Sequence, residues 1–224
     1  MAALRGHWQL IALVVLVFAL WQTPVTLPIK LLIVFLHEAS HAGMTVLTGG
    51  DVISLTVSAD QGGAVWSRGG SRFLILSAGY LGSLLIGMAL LFAAVRTRAD
   101  RAVMGLLGAV MLLVALLYVR DLFALVFCIG TGAAMIASAR LLSHQVNDLI
   151  LRVIGLASMI YVPYDIFSDT IARSALQSDA RMLAEEFGGA TILWGMIWLA
   201  ISVAAIWVAL RRGLGPVSNI RLNG

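Results

Sequence analysis

Charge is scarce in this chain. Of 224 residues only 12% are charged, against about 25% in an ordinary soluble domain, while 61% are hydrophobic. That balance excludes a water-soluble globule and points to an integral membrane protein. Cysteine is almost absent: Cys128 stands alone, so no internal disulfide can form, and redox compartment cannot be read from it. Lysine occurs once, as Lys30, against fourteen arginines, a bias that points to a GC-rich bacterial genome and hence a bacterial cell membrane. The net charge of +4 is small and spread over loop-like segments. It reads as orientation signal and lipid headgroup contact, with no nucleic-acid partner. There is no PDZ-like or nucleotide-binding segment, so any substrate choice must rest on the membrane part or on partners.

What is present is a series of long apolar runs. At about 20 residues per span, the length accommodates six or seven helices and no sizeable soluble domain. The expected fold is therefore an all-α polytopic membrane protein, one integral membrane domain over residues 1–224. A first, short helix is expected over 8–22, with Trp8 and Trp21 as interfacial rings. Its apolar run lacks a small-residue cleavage site before Trp21-Gln22-Thr23-Pro24, so it is read as an anchored helix. Thr23-Pro24 and Leu27-Pro28 separate it from a helix over 28–47, which Gly49-Gly50 ends. Residues 51–66 change character: Val52-Ile53-Ser54-Leu55-Thr56-Val57 is β-branched, Asp60-Gln61-Gly62-Gly63 makes a turn, and Ala64-Val65-Trp66 can return. This reads as a small hairpin, either a surface loop or a dip into a protein-lined cavity, because open strands cannot face lipid. Further helices are expected over 72–95, 102–118, 122–142, 149–167 and 190–210, with a more polar segment between the last two.

The helix over 28–47 carries the chemistry. His37-Glu38-Ala39-Ser40-His41 is an HExxH sequence inside an apolar run, at a depth where ionisable groups are costly. Asp, Lys or Arg at a helix centre cost about 2.5–3.5 kcal/mol each on insertion scales, so such groups need partners. His37 and His41 lie one turn apart on one face, which is what two imidazoles need to share one Zn²⁺. Glu38, on the adjacent flank, can accept a proton from an attacking water. The plainer alternative is a pair of interhelical hydrogen-bonding histidines with Glu38 in a polar cluster. A catalytic zinc site also needs a third protein ligand and an open position. Cys128, His144 and Asp148 are possible but stand in no motif. Asp165 and Asp169 lie one turn apart beside Pro163, and Asp165, the deeper, is the first choice with Asp169 the alternative. Against that, both acids can simply cap a helix end at the water boundary.

Together these features resemble the site-2 proteases, intramembrane zinc metalloproteases. SAGYLGS at Ser77–Ser83, YDIFSDT at Tyr164–Thr170, Arg173 and Ser178-Asp179-Ala180 are more closely similar to a compact branch of that superfamily without a PDZ domain. The resemblance covers roughly residues 31–200. It implies a Zn²⁺ cofactor held by His37 and His41, Glu38 as catalytic base, and a membrane-protein substrate in the lipid bilayer. It also implies that residues 51–66 present substrate as an added strand. Site-2 proteases usually place the third ligand in an Asp-Gly pair after an Asn-and-Pro stretch; here there is Pro163 but neither the Asn nor the Asp-Gly. Two other functions use the same residues: a non-proteolytic zinc-binding sensor, scaffold or carrier, and a transporter with a proton or ion relay. No internal repeat of the transporter kind is visible.

Overall fold

In a computed structural model of the chain, residues 2–173 and 177–220 are described. They form α1 (Ala2–Leu20), a 3₁₀ turn (Pro24–Thr26), α2 (Leu27–Leu47), β1 (Asp51–Val57), β2 (Gly63–Arg68), α3 (Arg72–Arg96), α4 (Asp100–Tyr118), α5 (Leu122–Leu141), α6 (His144–Phe167), a π-helical turn (Ser168–Ala172), α7 (Asp179–Phe187) and α8 (Thr191–Gly213). Among the described residues six helical segments are long and apolar enough to cross a membrane: Pro24–Leu47, Arg72–Arg96, Asp100–Tyr118, Leu122–Leu141, His144–Ala172 and Thr191–Gly213. The fold is thus an all-α membrane architecture with one two-stranded antiparallel hairpin.

Local chemistry sets the ends of these elements. Pro28 occupies the first turn of α2, where a missing N–H is harmless. At the other end Gly49 takes a left-handed φ of 81°, the Gly50 N–H reaches Thr45 O at 2.8 Å and the Gly49 N–H reaches Val46 O at 3.1 Å. That pairing is a Schellman stop, which turns the chain straight into β1. Asp121 caps α5 by accepting from the Ala124 N–H, and Ser143 caps α6 by accepting from the Val146 N–H. The Ser143 cap starts α6 at His144, five residues before the expected 149, and draws the polar His144, Asn147 and Asp148 into the helix.

Helices α3 and α6 cross at small residues. A Cβ on Gly155 would lie 2.7 Å from Gly87 O and 2.9 Å from Leu91 Cβ, so the two backbones touch. The Ser158 hydroxyl adds a hydrogen bond to Ser83 O at 2.9 Å. The hairpin runs Asp51↔Arg68 to Val57↔Gly63 with a bulge between Val52 and Ser54. It lies against the bundle: Leu55 is 1% and Val57 0% exposed. The outer edge of β1 is occupied, since Leu55 bridges to Val119 and the Thr56 hydroxyl donates to Asp121. The outer side of β2 faces an open cavity.

Candidate metal centre

His37 and His41 sit on one face of α2, as their spacing requires, and their Nε2 atoms are 3.0 Å apart. The third donor comes from far along the chain. Asp179 Oδ2 lies 3.0 Å from His37 Nε2 and 3.2 Å from His41 Nε2. Ser178 explains its placement: this residue caps α7 by accepting from the Arg181 N–H, which puts Asp179 at the first helical position, aimed back at α2. Asp179 is buried. Burial alone would raise its carboxyl, but the His41 charge and the hydrogen bonds from both imidazoles hold it well below the usual carboxylate range.

Two nitrogens and one carboxylate oxygen, all within 4.8 Å of one another, form a set that can hold a metal ion. The spacing can be tested. Ligands about 2.0–2.1 Å from a tetrahedral zinc are separated by about 3.3 Å. The three separations of 3.0, 3.0 and 3.2 Å come within about 0.3 Å of that figure. The donor chemistry agrees. His41 Nδ1 donates to the carbonyl of Ile75 at 2.7 Å, so Nε2 is the atom turned to the donor set, and it would present its lone pair once its proton gives way to a cation. The donors therefore fit a tetrahedral cation of zinc size with one position left over.

Two glycines make the room. A Cβ on Gly79 would strike Nε2 of both histidines, so only glycine lets α3 pass the donor set this closely. A Cβ on Gly63 would strike the Glu38 carboxylate, so the backbone of β2 runs directly over that side chain. Glu38, 5% exposed, faces a cavity of about 900 Å³ together with both histidines and Asp179. Residues 61–67 of the hairpin form one wall of it.

Asp165 and Asp169 do not contribute to the donor set, although both line the cavity. Asp169 has other partners: its Oδ2 accepts from the Tyr80 hydroxyl at 2.6 Å and its Oδ1 from Arg173 at 2.7 Å. The acid that meets the imidazoles is Asp179. Residue-type reasoning passed over it because it lies in a short polar segment, 142 positions from His37. The signal that could have found it is Ser178-Asp179-Ala180, a capping serine followed by an acid. Cys128 is buried in the apolar core away from the cavity, and His144 pairs with Asp100 at 2.6 Å.

A search of curated proteins and of solved structures finds no match. The model of the family described as Peptidase M50B-like matches residues 10–209, from the second half of α1 through most of α8. On that match, and with the two histidines and Glu38 set in a membrane helix, the chain belongs to the Peptidase M50B-like family, the compact branch of the site-2 proteases.

Proposed function

We propose that the protein is an intramembrane zinc endopeptidase that hydrolyses a peptide bond of a membrane protein in a bacterial cell membrane. Its zinc ligands are His37, His41 and Asp179, and its general base is Glu38. The observation that carries this reading is the meeting of Asp179 with both imidazoles, one residue from Glu38, at a cavity walled by a strand edge. A zinc ion there supplies a Lewis acid for the scissile carbonyl and brings the pKa of water down toward about 7.

The chain's own groups do the rest. The Ile75 carbonyl fixes the proton of His41 on Nδ1, so that imidazole stays aligned through turnover. Glu38 accepts a proton from the attacking water and passes it to the leaving amine; no covalent enzyme intermediate is needed. A helical segment hides its carbonyls, so a membrane substrate must be extended before it is cut. The open side of β2 offers that conformation, since a peptide laid beside residues 63–67 completes a third strand, with Gly63 bringing its backbone over Glu38. The other edge of the hairpin is closed by Val119 and Asp121, which leaves β2 as the place for substrate.

The test compares wild-type protein with Glu38→Gln, purified in detergent and reconstituted in membranes. Metal content by mass spectrometry gives about one zinc per chain in both. New protein N-termini appear in membranes holding wild type, and fall by at least about 10²-fold with Glu38→Gln. Equal N-termini in the two, or a wild type that takes up no zinc, refutes the proposal. Zinc in both with cleavage in neither assigns the site to a non-proteolytic zinc protein.

A further inference from the structure

The two histidines are not held alike. His41 is oriented by a backbone carbonyl through Nδ1. Every described hydrogen bond of His37 runs through Nε2, the atom aimed at the donor set. Rotation about χ2 of a histidine is soft, so the ring plane of His37 has to be fixed by packing. Tyr80 is what packs there. Its ring stands edge-to-face with His37, centroids 4.7 Å apart and planes at 81°, and it is backed by Trp198 at 5.3 Å.

Tyr80 is itself tied down. It is 2% exposed, and its hydroxyl donates to Asp169 at 2.6 Å. Asp169 also accepts from Arg173, whose Nε donates to the Ser168 hydroxyl at 2.9 Å. All three belong to the π-helical turn Ser168–Ala172 and its C-cap, which extends α6. A widened turn of this kind moves a side chain off the regular α-helical register, and such turns cluster at functional sites. Thr170 locks the turn from the other side, hydrogen-bonded to Ile166 O and filling the space left by Gly195 of α8.

We infer that Tyr80 and Asp169 are positioning residues, which set the ring plane of His37 for the metal. On this reading the SAGYLGS and YDIFSDT motifs act as one unit: Gly79 gives the donor set its space, Tyr80 holds one imidazole, and Asp169 anchors Tyr80. The inference rests on the proposed metal centre, and its test separates the two.

The test uses full-length detergent-purified protein, with Tyr80→Phe, Asp169→Asn and the pair combined. Zinc affinity is measured by chelator competition, and the visible spectrum of the cobalt-substituted protein reports ligand geometry. Tyr80→Phe keeps the ring and its packing, so the chain folds. Each single variant weakens zinc by several-fold, toward the about 10- to 100-fold typical of lost outer-shell partners, and shifts the cobalt bands. The double variant is no weaker than the singles, because both cut the same link. Tyr80→Ala, which also removes the ring, weakens zinc further. Unchanged zinc affinity and cobalt spectrum in both single variants overturns the inference while leaving the metal centre in place. Lowered thermal stability with those two readouts unmoved also overturns it, as a merely structural role. A wild type that takes up neither metal overturns the metal-centre reading, and the inference falls with it.

Discussion

Replacing Gly79 with alanine adds one methyl group, and the site has no place for it. The new Cβ would lie 2.5 Å from His41 Nε2, closer still to His37 Nε2, and 2.6 Å from His37 Cε1. Ordinary contact begins near 3.4 Å, so the imidazoles must retreat by about 1 Å. Metal–ligand distances tolerate about ±0.2 Å, a fifth of that displacement. Helix α3 is itself held about two turns further on, where Gly87 is in backbone contact with Gly155 of α6, so backing away would disturb that crossing. Both histidines are therefore lost as a matched pair. Losing one outer-shell partner costs about 10- to 100-fold in metal affinity, so displacing two ligands costs more than about 100-fold. The assay is zinc per chain by mass spectrometry after dialysis against a graded chelator. Gly43→Ala is the control: it lies in α2, its Cβ would meet nothing within 4 Å, and alanine is the better helix former by about 1 kcal/mol. Gly43→Ala keeps full zinc. If Gly79→Ala also binds one zinc with unchanged affinity, the donor set is not where the ion sits.

The remaining predictions follow the same geometry. Asp179→Asn removes zinc from the purified protein, whereas Asp165→Asn leaves about one zinc per chain; the reverse pattern, read by mass spectrometry, would return the third ligand to α6. Gly63→Val drives a side chain into the Glu38 carboxylate, so cleavage is lost while zinc remains, the split being measured by metal content beside N-terminal mapping. Gly155→Val separates α3 from α6, where its Cβ would meet Gly87 O at 2.7 Å, and the protein loses its monodisperse peak in size-exclusion chromatography; an unchanged peak and melting temperature would show that the crossing is loose.

Local order in the sequence made much of this legible. The pairing of His37 with His41 depends only on helix geometry, and the ends of α2 on Pro28, Gly49 and Gly50, all readable within a few residues. The hairpin shows in its β-branched run and in Gln61-Gly62-Gly63, where Gln61 takes a positive φ of 69° and β2 begins at Gly63. What stayed hidden was tertiary. Asp165 and Asp169 have the spacing and membrane depth of ligands, and nothing within α6 says that Tyr80 of α3 takes Asp169. Asp179 has an ordinary polar neighbourhood in sequence, and only the tertiary placement of α7 brings it to the histidines of α2. The start of α6 misled for a related reason. His144, Asn147 and Asp148 fall before the expected helix, yet they pair with Asp100, Ser138 and Arg152 inside the bundle, and Arg152 in turn donates to the Ser218 carbonyl. Polar residues satisfied by partners distant in sequence cannot be told from solvated ones by composition.

The short lengths of α4 and α5 carry the last step. A strand pair within a membrane protein must have every backbone group covered or wetted by a cavity, so a hairpin needs space that full-length helices would fill. Helix α4 has 19 residues against 25 in α3, which at 1.5 Å per residue makes it about 9 Å shorter. The turn joining α4 to α5 is where the hairpin rests: Val119 bridges Leu55, and Asp121 caps α5 while accepting from Thr56. One aspartate thus starts α5 and holds the strand that uses the room. The hairpin then runs back along α2 until Gly63 lies over Glu38, nine residues or about 14 Å before the end of that helix. The depth of the hairpin beside Glu38 is therefore set by the same short helices. Lengthening α4 by a turn would displace the hairpin from Glu38 without touching His37, His41 or Asp179.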